Sequence, residues 1–166
     1  MLSKIISFGL LGLSGYPVFV ETDIANGMPS YETVGLPGAA VRESKERVRA
    51  AIKNSNFDYP QQRITINLAP ADTKKQGPIY DLAIAVGLLS ASGQTGLPDG
   101  GSVFLGELSL DGQLRGIAGA LPMAISAREA GFDKLFISKD NADEASYIQG
   151  LSVYPVETLA EIVLAS

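Results

Sequence analysis

The sequence predicts a single α+β (α/β) domain over residues 1–166, with hairpins first and strand–helix units after them. Three observations predict it. β-Branched and aromatic runs near the N-terminus lead into Asn26-Gly27, and two later runs flank Asp111-Gly112; both dipeptides suit the positive φ angles of tight hairpin turns. The stretch from Pro78 to about Ser90 is almost wholly apolar, as expected of a helix buried on every side. Beyond it, short apolar runs alternate with helical patterns, without internal repeats or a low-complexity linker. The length of 166 residues suits one full core, and 18 glycines and nine prolines supply turns.

The elements follow in order. Residues 2–8 and 17–25 read as strands joined by a Gly-rich turn, the second with Val18, Val20, Thr22 and Ile24 on one face. Asn26-Gly27 then predicts a hairpin whose returning strand is 31–36. Pro37 opens a helix to about Ser55 with the apolar stripe Val41, Val48, Ala51 and Ile52. Ile64, Ile66 and Leu68 share one face of a strand that starts at Arg63, and a polar loop, 69–77, leads to the apolar helix. After a Gly/Pro-rich loop, 103–110 and 113–117 form the second hairpin. A helix from about Ala120 ends before Gly131, where positive φ is favoured. Residues 135–137 form a strand. Asn141 and Glu144 have capping-box spacing for a helix to Gln149; 153–154 is a last strand, and Thr158 with Glu161 caps a closing helix.

Composition excludes several chemistries. The chain has no cysteine and no histidine, so disulfides, thiolate nucleophiles, Cys/His zinc sites and His-based triads are ruled out. Freedom from cysteine fits a cytoplasmic protein. The start, Met1 to Leu13, has a basic residue before an apolar run, but Gly9, Gly12 and Gly15 interrupt it and Pro17–Glu21 resumes as a strand, so it is read as structure and not as a signal peptide. No apolar run reaches the ~20 residues of a membrane span. The net charge of −5 is unevenly spread: residues 1–75 carry nine Lys/Arg against seven Asp/Glu, and residues 76–166 carry four against eleven. Such polarity suits contacts between subunits.

Three segments carry a resemblance: Asp23–Pro29 running into Val34–Ser44 and Glu46–Ala51; Asn67–Asp72 leading to Tyr80–Ala85; and Leu105–Ile117. Together they resemble the N-terminal domain of Mg-chelatase-like AAA+ ATPases of the ComM/YifB family, over essentially the whole chain. The second and third also resemble the proteolytic domain of Lon and the C-terminal domain of RadA, whose fold is related to the second domain of a small-subunit ribosomal protein. The resemblance implies a following AAA+ module, which would hold ATP and Mg, and a parent that assembles as a homo-oligomer, a hexamer, for ATP-driven DNA work such as branch migration. This chain contains no G-x-x-x-x-G-K-[ST] and is expected to hold no cofactor of its own, as one domain of a longer protein. Its partners are then its own AAA+ module, neighbouring subunits and DNA, with no membrane.

A Lon-type protease needs a serine at the start of the buried helix and a lysine after the second hairpin. On the resemblance, Ile79 and Leu121 stand at those positions, and neither hydrocarbon side chain can attack a carbonyl or take a proton. No peptidase activity is expected. Asp81 opens the apolar helix, where the helix dipole favours a carboxylate. Arg42, Lys45 and Arg49 fall at i, i+3 and i+7 of the basic helix as a candidate DNA- or partner-contacting ridge, which Lys74 and Lys75 could extend; the competing reading is a solvated face, balanced locally by the Glu43–Arg47 pair and Glu46. Asp99, Glu107, Asp111, Asp140 and Asp143 match no metal-ligand loop, and no metal site is expected.

Overall fold

Alternating apolar residues in the N-terminal half and continuous apolar runs in the C-terminal half assemble into one seven-stranded mixed sheet. The computed structural model describes residues 1–165, with the side chains of 164 and 165 outside the description. The strands are β1 (Leu2–Leu11), β2 (Ser14–Ala25), β3 (Ser30–Val34), β4 (Arg63–Ala69), β5 (Ser102–Leu105), β6 (Glu107–Leu108), β7 (Leu114–Arg115), β8 (Lys134–Ser138) and β9 (Ser152–Val156). The helices are α1 (Ala39–Arg42), α2 (Ser44–Asn54), α3 (Asp81–Ala91), α4 (Ala120–Glu129), α5 (Lys139–Ala145) and α6 (Leu159–Ala165). The sheet order is β3-β4-β2-β1-β5-β8-β9, and β6 and β7 form a separate two-stranded hairpin. β1, β2 and β4 pair antiparallel, whereas β3 on β4 and the run β1-β5-β8-β9 are parallel.

Side-chain period explains the layers. In β2, Val18, Val20, Thr22 and Ile24 are all buried, as their alternation predicts. They face α3, every residue of which is buried. Helix and sheet meet closely at Gly87, where a Cβ would stand 2.7 Å from Thr22 Oγ1 and 3.3 Å from Ser3 Oγ. The Ser3 hydroxyl donates to the Gly87 carbonyl at 2.8 Å. Val41, Val48, Ala51 and Ile52 join this core from α1 and α2. The other side of β1, β5 and β8 is covered by α4 and α5, where Phe8, Val103, Leu135 and Ile137 pack with Met123 and Ala124. Strands β5 and β8 are therefore buried on both faces, which is why they read as continuous apolar runs.

Three local expectations are corrected. Asn26-Gly27 does not close a hairpin: β4 takes the antiparallel edge of β2, from Phe19↔Ala69 to Ala25↔Arg63, and the strand after the turn lies parallel on the far side of β4. The helix expected over 37–55 is two, α1 and α2, interrupted at Glu43. The Ala40 carbonyl, which a continuous helix would offer to the residue 44 amide, accepts from Arg47 Nη2 at 2.7 Å. α5 starts earlier than its capping-box reading: Ser138 is the N-cap and accepts from the Asp140 amide, while Asn141 sits inside the helix and bonds both the amide and the carbonyl of Ile117.

One buried ion pair joins these layers. The Asp81 carboxylate is fully buried and accepts from Ser44 Oγ at 2.5 Å, from Arg47 Nε at 2.7 Å and Nη2 at 3.1 Å, and from the Leu108 amide at 3.1 Å. Burial pushes its pKa up, and the bonds from Arg47, Ser44 and Leu108 pull it part of the way back. Because the folded carboxyl binds its proton more tightly than the unfolded one, its contribution is most favourable below the ordinary carboxylate range and weakens as pH rises through the raised folded value. Removing Arg47 raises that value further. Arg47→Met is expected to cost about 3–5 kcal/mol at neutral pH, since it strands a buried carboxylate. In urea titrations the deficit relative to the native chain should shrink towards pH 4; a deficit independent of pH overturns this account.

Candidate functional site

A broad concavity lies where the C-terminal end of β1 meets the segment that opens α3. Ile6 stands level with Val103, which puts Phe8 beside the last residue of β5 and leaves Gly9–Leu11 running past it. Beyond that point is a cleft of ≈ 560 Å³ lined by Leu10, Leu11, Tyr16, Ile79, Tyr80, Ile117 and Met123, with Thr73, Lys74, Gln76 and Glu107 at its polar positions. Tyr16 and Tyr80 meet over Gly9, where a Cβ would come within 2.9 Å of the Tyr16 ring and 2.5 Å of the Tyr80 hydroxyl. Only glycine fits there. Burial pushes both phenols up, so they serve as hydrogen-bonding groups and not as bases at neutral pH. Ile79 is half-buried in the cleft wall, and its carbonyl accepts from the Gly106 amide at 3.0 Å. Leu121 is 38% exposed on the first turn of α4 and is not among the cleft-lining residues. The lining contains no serine, cysteine or histidine, and its two fully charged side chains are Lys74 and Glu107.

The five basic residues of the expected ridge separate. Lys75 is completely buried. Its ammonium donates to the carbonyls of Gly35, at 2.8 Å, and Pro70. Its amide donates to Leu36 O at 3.0 Å, and its carbonyl accepts from the Gly38 amide at 2.8 Å. Two consecutive residues of this loop have positive φ, Gly35 at 100° and Leu36 at 55°, an uncommon conformation for leucine. At Gly35 a Cβ would lie 2.2 Å from the Leu68 carbonyl oxygen. Lys75 is thus a clamp on the Gly35–Gly38 loop and cannot reach a ligand, which corrects its place in the ridge; burial lowers its pKa. Lys74 is exposed and belongs to the apolar cleft. Arg42 is exposed on α1, off the register that a single helix would have given it. Lys45 and Arg49 remain together on α2, over the rings of Tyr31 and Tyr59 respectively, each at 5.9 Å.

Sequence reasoning missed Arg47 and the Tyr16–Tyr80 pair. The signal for the first was Asp81 itself: a carboxylate at the head of a wholly apolar helix needs a buried cation, and Glu43 at i−4 made Arg47 look like a surface partner. Glu43 does lie 3.8 Å from Arg47, as expected, but the shorter contact runs inward. Of the acidic residues considered for a metal, Asp99 pairs with Lys134 at 2.8 Å and Asp111 accepts from Ser109 Oγ and the Gln113 amide; these bonds hold both carboxyls below the usual range.

A family profile described as subunit ChlI of Mg-chelatase matches residues 20–141. The chain belongs to that family. Within it, competence protein ComM of Haemophilus influenzae is 42% identical over 166 residues, 98% of this chain and 32% of ComM. The protein YifB of Escherichia coli is 45% identical over 150 residues, 90% of this chain and 29% of YifB. A Lon protease of Mycolicibacterium smegmatis is 28% identical over 167 residues, 93% of this chain and 21% of the protease. The expected kinship with ComM and YifB, and the more distant one with Lon, therefore hold. The chain spans about a third of the length of the ChlI-family relatives it matches. Among the described residues no helix is long and apolar enough to cross a membrane.

The clamp of this ChlI-family loop is testable. Lys75→Met keeps the stem volume but leaves the Gly35 and Pro70 carbonyls without their donor, and a loss of about 1–3 kcal/mol is expected in thermal and urea unfolding. Amide exchange of Leu36 and Gly38 should accelerate with it. A variant of native stability and exchange overturns the role given to Lys75.

Proposed function

We propose that the chain is a non-catalytic accessory domain of a Mg-chelatase-like AAA+ ATPase of the ComM/YifB type. In this reading it helps subunits of a homo-oligomer, a hexamer in the parent, to assemble and engages DNA or a protein partner during ATP-driven recombination or branch migration. ATP and Mg act in the separate ATPase module. The observation that supports the reading is a well-formed, largely apolar cleft with the hydrocarbon side chain of Ile79 in its wall, at the place the resemblance gives to a nucleophile. The DNA arm of the reading is supported by the separation of charge. Arg47 is drawn inward to Asp81, while among the described residues Arg42, Lys45 and Arg49 have no carboxylate within ion-pair distance.

The test is fluorescence anisotropy on forked and single-stranded DNA across a salt series, with light scattering on the same samples. Binding that weakens steeply with salt and is lost in R42A/K45A/R49A is expected. No binding at low salt removes DNA from the proposed role and leaves subunit and protein contacts.

A second reading is favoured by the cleft alone: retention of an extended peptide without cleavage. Leu10 and Leu11 border the cleft, and Gly9–Leu11 extend beyond β5, so a peptide strand could lie along this end of β1. Ile79→Glu is expected to abolish capture of fluorescein-labelled apolar peptides while leaving DNA affinity unchanged. Equal capture by both proteins eliminates the cleft as a peptide site.

A further inference from the structure

We propose that Lys45 and Arg49, with Tyr31 and Tyr59 beneath them, form a pocket that seats one backbone phosphate of a single-stranded nucleic acid. The inference rests on the DNA reading above and gives it a place.

The pocket, ≈ 180 Å³, is enclosed by the start of β3, one face of α2 and residues 59–62. The pocket is open on one side, so a phosphate of a longer strand could enter it with the rest of the strand outside. The i, i+4 spacing on α2 brings the two cations to one face. Each is held over a tyrosine ring at 5.9 Å, and among the described residues neither lies within ion-pair distance of an acid. A ring face orients a cation without neutralising it, so both charges remain available. Arg47, between them on the helix, is already used: it reaches Asp81 and also takes up Glu43. Glu46 is near enough to Tyr59 to oppose its ionisation, but it does not line the pocket.

The Tyr31 hydroxyl is buried and makes no well-formed hydrogen bond, although Thr33 stands nearby, so the ring is held by packing under Lys45. Gln62 is fixed by Asn26, to which it donates at 3.1 Å, which leaves the Gln61 amide as a further neutral donor at the rim. Two cations, a neutral donor and aromatic faces are the groups that hold a sugar–phosphate strand without reading its sequence. A free phosphate would meet the same cations, and the experiment separates the two sources.

The chain is titrated at low ionic strength with inorganic phosphate and, separately, with a single-stranded oligothymidylate about a dozen nucleotides long, following backbone amides by NMR and affinity by anisotropy. The oligonucleotide should shift Lys45, Arg49 and Tyr59 at concentrations where phosphate does not. K45Q/R49Q should bind it about tenfold more weakly and flatten the dependence of log K on log salt by about 0.7, the value of one single-strand phosphate contact. K45R/R49K should retain binding, as should the charge-matched K53Q/R128Q, with melting temperatures recorded for all four proteins. Undiminished binding by K45Q/R49Q overturns the pocket and leaves the DNA reading intact. A response to phosphate without one to the oligonucleotide overturns the backbone assignment and the DNA reading together, as does silence to both probes.

Discussion

Asp81 is a carboxylate placed where a carboxylate is costly, at the head of a helix that has no exposed face. Its negative charge is tolerable only because Arg47, Ser44 and the Leu108 amide all point at it. Those three come from α2 and from the β6–β7 hairpin, so a single buried charge fixes α2 against α3 and the hairpin against both. The same bond set turns Arg47 inward, places its guanidinium on the Ala40 carbonyl, and divides α1 from α2. Much of the molecule's surface chemistry follows from where that one guanidinium went.

Two of the concavities differ in kind. The cleft beside β1 is apolar and broad, walled by a tyrosine pair that requires glycine at position 9, with charge only at its margin. Its chemistry is that of retention by contact area. The pocket on α2 is small and polar, built from two cations on two rings. Its chemistry is that of holding an anion. Ile79 puts a hydrocarbon side chain into the wall of the cleft. The chain that carries both surfaces belongs to the ChlI family and spans about a third of the length of the relatives it matches.

Lysine 75 shows how a polar residue can be structural without an ionic partner. The Val34–Gly38 segment needs positive φ at two successive residues and brings Gly35 against the Leu68 carbonyl, a shape that local preference does not favour. An ammonium group that donates to carbonyls on both sides of the gap holds it closed. The Gly-Leu-Pro-Gly run, prominent in the sequence, is therefore one half of a two-part device whose other half lies some forty residues later.

What the sequence determined by itself is whatever depends on neighbours along the chain. The period-2 runs of β2 and β4, the all-apolar α3, the stripe of α2 and the glycine after α4 were legible because pleat, helical pitch and φ preference act within a few residues. The exclusion of thiol and imidazole chemistry was equally secure, since it needs only composition. Tertiary structure decided which edge each strand met. Asn26-Gly27 permits a hairpin, but β4, with Ile64, Ile66 and Leu68 in the core, pairs on β2, and β3 pairs beyond it. It also decided which cations faced water. Arg42, Lys45, Arg47, Arg49, Lys74 and Lys75 look alike as letters. One was drawn to a buried carboxylate and one to two backbone carbonyls. One joined a cleft, one stayed alone on α1, and two were left side by side over tyrosines. The reason is that desolvation and pairing are set by what approaches from distant parts of the chain, and no local period encodes that approach.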